Sequence, residues 1–144
     1  MAALLKDRNT PKSLGDKRVG TLGAGVKVYA GAMLMRNAAG YLVAATTALN
    51  LIGVGRAEAQ VDNTAGGNGA LSIGYVPGIF RYDNSAGGDL ITIADVGSIA
   101  WAVDDQTVAK TNGTNTRSRA GVIDYVDPQG VWVRFDEVLT AAAV

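Results

Sequence analysis

"AGVIDYVDPQGVWVRF", residues 120–135, decides the fold class. In its second arm a period of two sends Val131, Val133 and Phe135 to one face and Trp132 with Arg134 to the other. Between the arms stands Asp127-Pro128-Gln129-Gly130, with Asp at i, Pro at i+1 and Gly at i+3, which suits a type I turn. The stretch is therefore a β-hairpin. If its valine face is the core, Trp132 and Arg134 are exposed, and both residue types are enriched at interface hot spots. The alternative is a core on both faces, as a sandwich or a barrel edge would supply.

Upstream, the pattern is short strands cut by turn residues. "VKVYA" (26–30) and "AMLMR" (32–36) alternate, and "NAAG" (37–40) turns the chain into "YLVA" (41–44). "LIGVGRAEAQV" (51–61) reads as one strand whose Gly53 and Gly55 mark a bulge or close packing. "ALSIGYV" (70–76), "IFRY" (79–82) and "SIAWAV" (98–103) follow, the last with Ile99, Trp101 and Val103 on one face and alanines on the other. "LITIADVG" (90–97) has room for one helical turn, and residues 104–119 read as a long polar loop. Strands at spacings of about 8–12 residues with turn signals indicate an all-β fold, a β-barrel or sandwich. Glycine supports this, at 19 of 144 residues about twice its usual share, with only 3 prolines.

Three segments emerge: an N-terminal arm (1–16), polar and without strand or helix period; a β-rich domain (17–135); and a tail (136–144), a short helix or frayed end. A chain of this length owns a real core. Net charge is zero, but residues 1–56 hold eight basic residues against Asp7 and Asp16, whereas residues 57–144 hold five against eleven acids. Either the fold intermixes these charges, or the molecule docks by complementary patches.

One loop is written twice, "DNTAGG" (62–67) and "DNSAGG" (83–88). Asp and Asn bond their own backbone and Gly supplies positive φ, so turn chemistry suffices. Calcium would need an array of oxygen ligands that the two copies do not share, Asp89 in one standing where the other has Asn68.

Chemistry is sparse. The chain has no cysteine and no histidine, which removes thiolates, the commonest general base and the commonest transition-metal ligand. Neither Gly23-Ala24-Gly25 nor Gly53-Val54-Gly55 completes a dinucleotide fingerprint. The Asp104-Asp105 doublet sends its side chains to opposite faces if extended, so it is not itself an acid–base pair. Lys110, Arg117 and Arg119 sit in a loop without aromatics, which reads as solvated rather than nucleic-acid binding. The apolar run 26–54 is broken by Lys27, Arg36, Asn37 and Asn50, so no membrane span is expected. The N-terminal apolar run is too short for a signal peptide, which points to assembly in the cytoplasm. We expect no enzyme and no cofactor.

"DRNTP" (7–11), "GVKVYAGAM" (25–33), "GVGRAEAQVDNTAG" (53–66) and above all "VDDQTVAKTNGTNTRSRAGVIDYVDPQGVWVRF" (103–135) resemble small proteins of tailed phages and Mu-like prophages. These are capsid decoration, or cement, proteins, similar to the head decoration proteins of lambda-like phages. The tail from Asp136 departs from the pattern. The resemblance implies an all-β domain, a small β-barrel or β-tulip-like sandwich, with an extended N-terminal arm, forming homotrimers on the outer capsid surface that clamp major capsid protein subunits in the virion. It makes Lys6, Arg8, Asn9, Thr10, Pro11 and Lys12 the expected capsid-binding arm. Trp132, Arg134, Asp104 and Asp105 become the expected contact between copies. The rival readings are another virion component, such as a head fibre base or tail protein, a carbohydrate-binding β-domain using Trp101 or Trp132, and a small hydrolase.

Overall fold

The computed structural model describes residues 3–13 and 15–143; Met1, Ala2 and Leu14 of the expected arm and Val144 of the expected tail lie outside them. Among the described residues twelve strands form: β1 (Arg18–Thr21), β2 (Lys27–Val28), β3 (Met33–Arg36), β4 (Leu42–Ala44), β5 (Ile52–Ala57), β6 (Val61–Asp62), β7 (Ser72–Val76), β8 (Gly78–Asn84), β9 (Ile99–Ala102), β10 (Thr107–Ala109), β11 (Arg119–Asp127) and β12 (Gly130–Phe135). The expected hairpin is β11–β12, with Asp127 paired to Gly130 across the turn. The Asp127 carboxylate fixes that turn by accepting from the backbone N–H groups of Gln129 (2.8 Å) and Gly130 (3.1 Å).

The fold is all-β and contains a closed barrel of five strands. The hairpin pairs through β12 with β8 and through β11 with β9, while β10 joins β8 to β9 and shuts the ring. β10 lies in the region expected to be a polar loop. Only Thr107 and Val108 pair with β8, so a three-residue strand among polar neighbours carries almost no periodic signal. The barrel core holds Val131, Val133, Phe135, Ile123, Tyr82 and the alanines of β9. In β9 it is the small residues that face inward, because a five-stranded barrel has little interior to fill.

β5 branches from the barrel wall, pairing with β11 at one point and also with β3 and β7. Strands β1, β7, β5, β3 and β4 curl so that Leu22, just past β1, bridges to Leu42 of β4. Leu22, Leu34, Leu42, Val54, Ile73 and Tyr75 fill this second lobe. β3 is the wall shared by both lobes. Met33 and Met35 enter the barrel core and Leu34 the second, so all three are buried.

The two glycines of β5 do what a bulge and close packing require. The register of β3 slips opposite Val54, between Gly55 and Gly53. A Cβ on Gly53 would sit 1.8 Å from the carbonyl oxygen of Ala120, so a side chain there would push β5 off β11. The strand expected over 51–61 is split, with β5 ending at Ala57 and β6 pairing separately with β2. One 3-10 turn, Ile93–Asp95, occupies the expected helical turn. The tail forms a helix, α1 (Glu137–Ala142), N-capped by Asp136 and packed on β11 and β5. Arg36 of β3 grips Glu137 at 2.5 Å, which raises the arginine's pKa.

The repeated loops are both fastened by their asparagine, with different partners. Asn63 is buried, and its Nδ2 donates to the carbonyls of Gly23 (2.8 Å) and Gly67 (3.1 Å). Asn84 pairs with both backbone groups of Ile91, while Ser85 Oγ donates to Val108 O and so ties β10 to β8. Asp62 is held below the usual carboxylate range by the hydroxyl and N–H of Thr64.

Candidate interaction surface

Period two on β12 holds in the structure: Val131, Val133 and Phe135 are buried, Trp132 is half-buried and Arg134 exposed. The neighbours of Trp132 and Arg134 follow from register. Trp132 lies between Tyr125 of β11 and Arg81 of β8, and Arg134 lies between Val122 and Ile79. The outer face of β11, β12 and β8 therefore carries two cross-strand rows, Tyr125–Trp132–Arg81 and Val122–Arg134–Ile79. Tyr125 is 52% exposed and Ile79 40%, so the face offers apolar area to a partner.

Its side chains are already oriented. Trp132 Nε1 donates to Asp127 Oδ2 at 2.8 Å, and the Arg81 guanidinium lies 5.7 Å from the indole centroid while reaching Gln129. Arg134 donates to Asp124 at 3.0 Å. Asp127 is held below the ordinary carboxylate range, chiefly by the indole N–H and then by the two turn N–H groups. Because Trp132 and Arg81 are fixed in advance, less rotamer entropy is lost when a partner covers them.

Asp104 and Asp105 are not used alike. Asp104 accepts from the Gln106 N–H and shapes the β9–β10 turn. Asp105 accepts from the Met33 N–H through its carbonyl, and lines a cleft with Tyr29, Ala30, Gly31, Ala32 and Gln106. Gly31 also borders the neighbouring cleft with Arg81, Tyr82 and Trp132. Asp105 and Trp132 thus flank Gly31, whereas Asp104 is spent on a turn.

Lys6, Arg8, Asn9, Thr10, Pro11 and Lys12 are all exposed, in a segment without strand or helix. Among the described residues none of the three cations here has an intramolecular acid partner. The arm runs into β1, which ends the strand order and, among the described residues, pairs only with β7. Leu4 and Leu5 beside these residues are 71% and 96% exposed.

The charge asymmetry is partly intermixed. Lys27–Asp62, Arg36–Glu137 and Arg56–Glu58 cross between the two sequence halves. What stays separate is the entry segment: residues 3–18 carry five basic residues against two acids, and the rest of the chain eight against eleven.

Arg81, Tyr125 and Ile79 were missed from the sequence. Period two in "IFRY" places Ile79 and Arg81 on one face, a usable signal had β8 been known to neighbour β12. Tyr125 was hidden by the bulge between Ile123 and Tyr125, which breaks the alternation. Among the described residues no group of three or more Asp or Glu is placed to hold a metal ion. Comparison of the chain with models of known protein families, with characterised proteins and with solved structures gives no match.

Proposed function

We propose that the chain is a structural virion protein that binds the outer surface of a tailed-phage capsid and cements neighbouring major capsid protein subunits, as a homotrimer. The observation that carries this reading is the arm. A basic segment, exposed along its described length, leaves an edge strand of a body with the opposite net charge. An arm of this composition gains order on a partner and loses entropy there, so affinity must come from several such contacts made together. A trimer on a shell supplies them, each arm reaching a different capsid subunit, with Lys6, Arg8 and Lys12 against acidic capsid residues. The face bearing Tyr125, Trp132 and Arg81 is then where copies meet, its aromatics and arginine being the types that concentrate interface energy.

The test is co-sedimentation of purified protein with mature shells that lack it. The reading expects saturable binding at a fixed ratio to capsid protein, lost on deletion of residues 1–16. Failure of the full chain to bind mature shells refutes it, as does unchanged occupancy after the deletion.

A further inference from the structure

A second outward row lies on the opposite flank of β11. At its first residue, Arg119 pairs in register with Trp101 of β9 on one side and Ile52 of β5 on the other. These three, with Leu49, Asn50 and Arg117, line a cleft of about 340 Å³, within the range of small-molecule sites. Arg119 differs from the other arginines of the β-domain. Arg36, Arg56, Arg117 and Arg134 each pair with an acid, Arg18 donates to carbonyls, and Arg81 reaches Gln129 and lies over Trp132. Among the described residues the Arg119 guanidinium has no ion pair, no hydrogen bond and no cation–π contact, although the residue is half-buried.

The rim beside it is built. Ser118 is buried, accepts from the Leu51 N–H (3.1 Å) and donates to the Ala48 carbonyl (2.6 Å), which pins the 48–51 loop to the start of β11. Asn50 is held there at φ 63, a left-handed conformation that few non-glycine residues adopt. Leu49, 54% exposed, adds an apolar lip.

We propose that this cleft binds a sugar ring bearing a carboxylate, of the uronic- or sialic-acid class. The Trp101 indole offers a flat apolar platform to the C–H face of the ring, and the free fork of Arg119 matches a carboxylate with two parallel hydrogen bonds. Asn50 supplies an amide for ring hydroxyls. A monoanion is favoured over a phosphate dianion because Arg117 is neutralised by Asp89 and the body beyond residue 18 carries excess acid. The site is independent of any capsid role.

The experiment is an NMR titration of the full chain with α2,3-sialyllactose and a hyaluronan hexasaccharide, with lactose and triglutamate as controls. The Trp101 indole N–H is identified by comparison with Trp132→Phe. The expected result is a saturable shift of that resonance by both acidic saccharides, with Kd on the order of 1 mM or tighter, and none by lactose or triglutamate. Arg119→Gln, which removes no internal ion pair or side-chain hydrogen bond, weakens binding by about tenfold or more while leaving the rest of the spectrum in place. No saturable shift with the acidic saccharides overturns the proposal, as does an equal response to lactose or triglutamate. Undiminished affinity in Arg119→Gln overturns it too.

Discussion

Replacing Gly53 by alanine tests the junction on which the two-lobed fold depends. The added Cβ would stand 1.8 Å from the Ala120 oxygen, 2.6 Å from its carbonyl carbon and 2.8 Å from its Cα. All three are backbone atoms of β11, so no side chain can swing away. Relief requires β5 and β11 to separate by more than an ångström at their single paired position, Ile52 opposite Arg119. Ala120 of β11 is fully buried in the barrel core, and Val54 of β5, next to Gly53, is buried in the second lobe, so both cores open together. Overpacking that side chains can absorb costs about 1–3 kcal/mol. A clash with backbone on both sides belongs at the top of that range, about 3 kcal/mol or more. For a domain of this size the melting temperature then falls by roughly 6–12 °C. The assay is thermal unfolding followed by far-UV circular dichroism and calorimetry. Gly88→Ala is the matched control, since its Cβ meets nothing within 4 Å and its φ is not left-handed. It should be neutral or raise stability by about 0.4–1 kcal/mol through the unfolded chain. A Gly53→Ala melting temperature equal to that of the control would refute the close approach of β5 to β11.

Deleting residues 1–16 should leave the melting temperature within about 2 °C of the full chain, because none of the arm's described residues belongs to either core; a large loss in the same scan would show that the arm supports the fold. Glu137→Ala removes the carboxylate that grips Arg36 and should cost about 1 kcal/mol after allowance for solvent screening; limited proteolysis should then cut α1 sooner. Stability should respond to acid in one window. Asp89 is held low by the Thr111 hydroxyl and then Arg117, Asp95 by the Thr92 N–H and then Lys110, and Asp127 by Trp132 and its turn. Their folded pKa values lie below the unfolded one, so the stabilisation is complete above about pH 4 and drains as pH falls through the depressed values. With no histidine to titrate, the melting temperature should be level from about pH 8 to pH 5; a fall completed between pH 7 and 5 would contradict this. Asp127→Asn should lower the melting temperature and shift the Trp132 emission, since one amide cannot accept from both the indole and the turn as the carboxylate does.

The hairpin and the glycine-rich β5 were legible because their signals are local. Alternation on β12, the Asp-Pro-Gln-Gly turn and a glycine pair flanking a valine each state their geometry within a few residues. The barrel's closure was not legible. β10 has three residues, pairs in parallel with β8 over two of them, and is held partly by Ser85 of a loop more than twenty residues earlier. Such a strand exists because of its neighbours. β3 hid its role for another reason: the alternation expected over "AMLMR" does not hold, because with a core on each side Met33, Leu34 and Met35 are all buried, and nothing in "MLM" marks a strand shared by two lobes.

The candidate surfaces divide along the same line. The arm is visible in the sequence as a polar run without period, and Trp132 with Arg134 follows from parity on one strand. A surface needs more than one strand, and what joins Trp132 to Arg81 and Tyr125 is register, set by the β12–β8 pairing and by the bulge before Tyr125. The same holds for Arg119. In the sequence it is the last cation of a polar loop, and a solvated role was the natural reading. In the fold it is the first residue of β11, placed between Trp101 and Ile52 by two different pairings. Nothing in "TRSR" distinguishes it from Arg117, yet one is neutralised by Asp89 and the other is left with its donors free. Pairing, which composition does not encode, turns one of two similar arginines into a candidate ligand contact.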